Sequence, residues 1–143
     1  KEVIRKNPKN VNAWINLAVI LDEQLNQPEE AEQAYRRSIQ LNTNAPEVYF
    51  NLGWLLMDNF HRYDEAEEMF QRTLEINPKD ELALYNIACI KAMQNDSDSA
   101  LFYLKEAIRN GFDKSEAWDD SDFEKLRNDP RFIEIVGLQP MNE

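Results

Sequence analysis

The apolar residues of this chain fall in clusters spaced by three and four. Trp14, Leu17, Ala18 and Leu21 form one such set, and Ala31, Ala34, Tyr35, Ser38 and Ile39 form the next. That spacing puts each set on one face of a helix, so the two stretches are predicted as a pair of amphipathic helices. A shift of 35 residues superimposes the pattern on itself: Trp14-Ile15-Asn16-Leu17-Ala18 meets Tyr49-Phe50-Asn51-Leu52-Gly53, which meets Leu84-Tyr85-Asn86-Ile87-Ala88. The second helices repeat as well, with Ala31, Tyr35, Ser38 and Ile39 meeting Ala66, Phe70, Thr73 and Leu74. In the third copy the matching Ala100, Leu104, Ala107 and Ile108 arrive one residue early, which marks a shorter loop before them. Such an internal period is the mark of a repeat array.

The punctuation agrees with the period. Pro28 and Pro46 fit first-turn positions, where a missing N–H costs nothing, and Asn95 to Asp98 supply capping oxygens. Asn7-Pro8, Asn42-Thr43 and Asn77-Pro78 keep the same step. Small residues at Ala18, Gly53 and Ala88, facing Ala31, Ala66 and Ala100, let two antiparallel helices approach closely. Each copy is therefore expected to be a helical hairpin, and the chain all-α. After Gly111 the period weakens, because Ser121-Asp122 stand where an apolar pair would continue it. Ser121 with Glu124 reads as a capping box; Asp129-Pro130 reads as an N-cap with a first-turn proline, and Gly137 closes that second short helix. Trp118, Phe123 and Phe132 are expected to lie against the last hairpin near Phe102, Tyr103 and Leu104, covering an apolar end.

An aromatic residue, then Asn-Leu-Gly/Ala, then Ala, an aromatic and a small residue, ending in Asn-Pro, resembles the tetratricopeptide repeat. The resemblance divides the chain into residues 11–45, 46–80 and 81–112 as three repeats, residues 1–10 as the tail of a preceding one, and residues 113–143 as a C-terminal helical cap. Two units have 35 residues instead of the usual number of about 34, and Thr43 replaces the usual proline. The run from Gly111-Phe112 through Trp118, Phe123 and Asp129-Pro130 resembles the closing segment of many bacterial tetratricopeptide proteins. The resemblance implies an α-solenoid, a right-handed superhelix whose first helices line a concave groove where partner peptides bind.

Composition narrows the function. With 16 Lys and Arg against 27 Asp and Glu, the net charge of −11 repels phosphate backbones and anionic lipid surfaces, which argues against nucleic-acid and membrane-surface roles. The chain holds only three glycines and six prolines, fewer turn residues than a sheet protein needs. No run of about 18 apolar residues is present to span a bilayer, and no signal segment stands at the start, so a cytoplasmic location is the expectation. The first residue, Lys1, in place of Met suggests an excised segment.

The single Cys89 has no intrachain disulfide partner, and the single His61 leaves no imidazole pair for a zinc site. Cys89 and His61 fall in different copies, one mid-helix and one at a turn, so they are not expected to form a catalytic pair; no enzymatic activity, metal or cofactor is expected. The acidic stretch Asp119, Asp120, Asp122 and Glu124 lacks the turn glycine that a calcium loop needs. Asn95-Asp96-Ser97 has the form of a glycosylation sequon, which matters only in a secreted chain.

The informative surface lies on each first helix, opposite the face that meets its hairpin partner. At about 100 degrees per residue, Asn12, Ile15, Asn16, Val19 and Glu23 share it, with equivalents Glu47, Phe50, Asn51, Trp54 and Asp58, then Leu82, Tyr85, Asn86, Cys89 and Met93. The ligand-binding set is expected among Asn16, Val19, Glu47, Phe50, Asn51, Trp54, Leu82, Tyr85, Asn86 and Cys89. Phe50, Trp54 and Tyr85 fit either burial between neighbouring helices or an exposed interaction strip. Asn16, Asn51 and Asn86 fit either local bonding or a ladder of amides pairing with an extended peptide backbone. Such asparagine ladders occur in some superhelical tetratricopeptide proteins. The family's carboxylate clamp for chaperone C-termini uses Lys and Asn where this chain has Ile15 and Val19, Asn at Asn51, and Lys and Arg where it has Leu82 and Asn86; only Asn51 matches, so that ligand is not expected. Acidic Glu23, Glu47 and Asp58 beside the strip favour a neutral to basic protein or peptide partner with an apolar anchor. A structural scaffold using its ends or convex face, and a targeting segment of a larger enzyme, are the alternatives.

Overall fold

The computed structural model describes residues 10–41 and 43–137. Segment 1–9, read above as the tail of a preceding repeat, lies outside the described residues, as do Asn42 and the last six residues. The described residues are helical with no strand, and the chain divides into an N-terminal unit, Lys1–Ile76, and a C-terminal unit, Asn77–Glu143.

The N-terminal unit holds two hairpins. Helix α1 (Val11–Val19) starts on the Asn10 side chain, which accepts from the Ala13 N–H at 3.1 Å, and runs on through a π-helical turn, Ile20–Gln24. Helices α2 (Pro28–Gln40) and α3 (Pro46–Asp58) both begin on a proline, as the punctuation predicts, and α4 (Tyr63–Ile76) completes the second hairpin. Ala18, Leu21, Ala31 and Tyr35 are buried in the first pair, and Leu52, Leu56, Ala66 and Phe70 in the second. Each fully buried Leu or Phe contributes about 1.5–3 kcal/mol. Gly53 marks the closest helix approach: a Cβ built there would stand 2.9 Å from Cε1 of the buried Phe70 ring. Thr43 takes up the proline's place with two bonds. Its Oγ1 accepts from the Ala45 N–H at 3.2 Å, next to an α3 N-terminus without a side-chain cap, and its carbonyl accepts from the Tyr49 hydroxyl at 3.1 Å.

The C-terminal unit holds α5 (Glu81–Met93) and α6 (Ser97–Arg109), capped by Asp80 and Asp96, then α7 (Ser115–Asp119), a 3-10 turn (Ser121–Leu126) and α8 (Pro130–Val136). The residue missing from the third copy comes out of the hairpin turn. Gln27 N–H bonds to the Leu21 carbonyl and Arg62 to Leu56, six residues back in each case, whereas Asp96 bonds to Lys91, five back. In all three turns one residue takes a left-handed φ: Asn26 at 49°, His61 at 52° and Asn95 at 62°.

The terminal segment departs from the reading in two details. Asp120, not Ser121, caps the 3-10 turn: its backbone is extended (φ −79°, ψ 119°) and its Oδ1 accepts from the Asp122 N–H at 3.0 Å. Trp118, Phe123 and Phe132 are buried as expected, but their rings contact one another and Tyr85, while Phe102 is 59% exposed. Asp129, Pro130 and Gly137 take the roles expected of them at the two ends of α8.

Candidate functional site

In the N-terminal unit the second face of the first helices stays open. Asn16 and Glu47 are exposed, Val19, Phe50 and Asn51 half-buried, and Trp54 is 45% exposed although it is the largest side chain on the strip. Phe50 meets the buried Phe70 edge-on at 5.6 Å between ring centroids, so its ring is anchored in the core while Trp54, one turn on, is free of such an anchor. Asp58 follows Trp54 by four residues on α3 and so shares its face.

A polar chain crosses three helices beneath this strip. The Tyr35 hydroxyl of α2 donates to Asp22, in the π-helical turn that follows α1, and accepts from the Asn51 amide of α3. Burial pushes the Asp22 carboxyl above the usual aspartate range, Glu23 and Asp58 push it further, and the Tyr35 bond pulls the other way. Burial, then the Asp22 charge, likewise raises the Tyr35 phenol, against the Asn51 bond. The Asn51 amide spends one of its four hydrogen bonds on this chain. Three carboxylates thus converge, and one of them, Asp58, shares the α3 face of an exposed indole, a combination of charge and aromatic face that attracts a cation.

In the C-terminal unit the corresponding face is closed by the chain itself. Tyr85, Asn86 and Cys89, placed on the ligand strip by the sequence, are 8%, 6% and 3% exposed; Leu82 remains exposed. Phe112 stacks on the Tyr85 ring at 3.8 Å, and Phe123 lies 5.7 Å from it. Asp120 Oδ2 accepts from the Tyr85 hydroxyl at 2.5 Å and from the Cys89 thiol at 3.7 Å. The physical reason is local: α5 has apolar residues on nearly every face, and the aromatic residues that follow α6 bury the one its hairpin partner leaves bare. Cys89 Sγ and carboxylate oxygens of Asp120 and Asp122 lie within 4.8 Å of one another, a set of metal-ligand atom types. Burial, then Asp120 and Asp122, push the thiol well up, so it stays protonated and acts as a hydrogen-bond donor, unlike the thiolate a metal requires. His61 is exposed in its turn, Nδ1 3.0 Å from the Tyr63 hydroxyl.

Models of the tetratricopeptide repeat match residues 23–84 and residues 1–33. The chain belongs to the tetratricopeptide repeat family. Among solved structures it is similar to MamA, with a TM-score of 0.81 at 18% identity, covering 95% of this chain and 80% of that one. It also matches YrrB, described as a tetratricopeptide protein with an unusual peptide-binding site, at 19% identity over 94% of this chain and 87% of that one, with a TM-score of 0.44. No curated protein matches the sequence. At such identities the likeness to MamA is one of fold: all-α, built from the helix hairpins of a tetratricopeptide solenoid. No helix among the described residues is long and apolar enough to cross a membrane.

Within this tetratricopeptide fold two functional features escaped the sequence reading. Tyr35 repeats with Phe70 and reads as a core aromatic, so its hydroxyl bridge from Asp22 to Asn51 was hidden. Asp120 was read only as part of an acidic stretch, and its bond to the Tyr85 hydroxyl joins residues 35 apart that no periodic pattern pairs.

Proposed function

We propose that the N-terminal unit binds a peptide segment of a partner protein along Asn16, Val19, Glu47, Phe50, Asn51 and Trp54. Tetratricopeptide arrays serve as protein-interaction modules that present extended binding surfaces. The observation that carries the reading is Trp54, an indole left 45% exposed on the α3 face that it shares with Asp58, whose charge acts with that of Glu23 on Asp22. An exposed aromatic anchor with an acidic rim selects an apolar side chain followed or preceded by Lys or Arg. Asn16 is exposed, and the hydrogen-bonding capacity left to Asn51 is available to a peptide backbone, so the two amides form the part of the asparagine ladder that belongs to this unit.

A peptide-array screen of the 143-residue chain against Trp54→Ala tests the reading. Sequences pairing an apolar residue with a basic one are expected to bind the wild type and lose at least about tenfold with Trp54→Ala. Enrichment of acidic peptides, or binding indifferent to Trp54, overturns it.

A further inference from the structure

A second surface lies wholly within the C-terminal unit, on α6 and α8. Between these helices is a cleft of about 520 Å³ whose lining includes Leu101, Phe102, Ile108 and Ile135, with Lys105 and Glu134 on its walls. Phe102 is the most exposed large apolar side chain among the described residues. The other charges at this rim are already matched. Arg131 pairs with Asp98 at 2.6 Å and Asp129 at 2.9 Å, and Arg109 pairs with Glu106 at 3.3 Å. Lys105 and Glu134 have no ion-pair partner among the described residues; one stands on α6, the other on α8, and they do not pair with each other.

We propose that this cleft is the self-association surface of the protein, occupied by the same surface of a second molecule about a two-fold axis. A two-fold interface must complement itself, so each unpaired group needs its opposite on the same patch. Lys105 and Glu134 meet that condition: the axis sets each Lys105 against Glu134 of the partner subunit, twice per interface. Phe102 then enters the partner's cleft against the aliphatic residues and loses its exposure to water. Charge also selects the occupant. Two molecules of net charge −11 repel through most of their surfaces and can approach only where charge is locally balanced, as it is here. An acidic partner meets the same repulsion without the balance, and a basic partner is drawn to the carboxylates of the N-terminal unit instead.

Sedimentation velocity over a concentration series of the whole chain, with wild type, Phe102→Glu, Lys105→Glu, Glu134→Lys and the double reversal Lys105→Glu/Glu134→Lys, decides it. Wild type is expected to show a reversible monomer–dimer equilibrium, which Phe102→Glu and each single reversal weaken at least about tenfold. The double reversal restores affinity to within about threefold, because the two-fold axis again opposes unlike charges. Each variant is checked by circular dichroism, and should Phe102→Glu fail to fold, the exposed charge variants carry the test. A wild type that stays monomeric, a dimer that survives Phe102→Glu in a folded chain, or a double reversal as weak as the single ones overturns the proposal.

Discussion

The Asp22 carboxyl is held where burial, Glu23 and Asp58 all disfavour its charge, and only the Tyr35 hydroxyl offsets them. An aspartate in an unfolded chain titrates near about 3.9. With the folded value above that, the folded chain takes up the proton first as pH falls, so between the two values stability decreases as pH rises. Asp22→Asn keeps an acceptor for Tyr35 and removes the charge; it is expected to raise the melting temperature at neutral pH and to flatten the acid-side dependence, while weakening the binding of basic peptides. Melting curves from pH 4 to 7 beside a peptide titration check this, and a variant that is both less stable and a better binder contradicts it. Asn51→Ala is expected to weaken peptide binding by roughly 1–3 kcal/mol, by similar amounts for ligands of different sequence, since backbone groups are common to all. Because the same amide bonds to Tyr35, its stability must be measured alongside. A folded fraction that binds normally would make Asn51 purely structural. The position of Asn51 on the strip was legible from the helical period, but its bond to Tyr35 was not: periodicity assigns faces within one helix, and this contact joins three.

The hairpins themselves were written plainly, because three copies repeat the apolar face, and a proline or aspartate starts four of their six helices. Gly53 shows how tightly that pattern is drawn. Alanine there gains about 1 kcal/mol of helix propensity but sets a Cβ against the immobile Phe70 ring, and overpacking of this kind costs about 1–3 kcal/mol. Gly53→Ala is expected to be destabilising by about 1 kcal/mol in urea unfolding, the overpacking outweighing the propensity; a stabilised variant would mean that α3 and α4 part more easily than their packing implies. The choice of Asp120 over Ser121 as cap was not legible, since both residue types cap helices and only the backbone angles at Asp120 distinguish them. Nor did the 3.6-residue period show that Tyr85, rather than Phe102, would receive the terminal aromatic residues: both stand on apolar faces, and the stacking of Phe112 decides between them.

For the molecule as a whole, the terminal segment and the net charge set the behaviour. Removing residues 112–143 strips Phe112, Asp120 and Phe123 from Tyr85 and Cys89. The truncated chain is expected to lose several kcal/mol, because interfaces between neighbours carry much of an array's stability. Its Cys89 should react with a thiol reagent at least about tenfold faster once burial no longer holds the proton; unchanged melting and unchanged reactivity would show that the segment covers nothing. At net charge −11, binding of basic peptides should weaken as salt is raised. The most direct measurement of where ligands bind is amide and indole NMR of the labelled chain titrated with a basic, apolar peptide from the array. The account predicts shifts concentrated at Asn16, Val19, Asn51, Trp54 and Asp58, including the Trp54 indole N–H, with Tyr85 and Cys89 unmoved; shifts centred on Tyr85 and Cys89, or a Trp54 indole that does not respond, would contradict it.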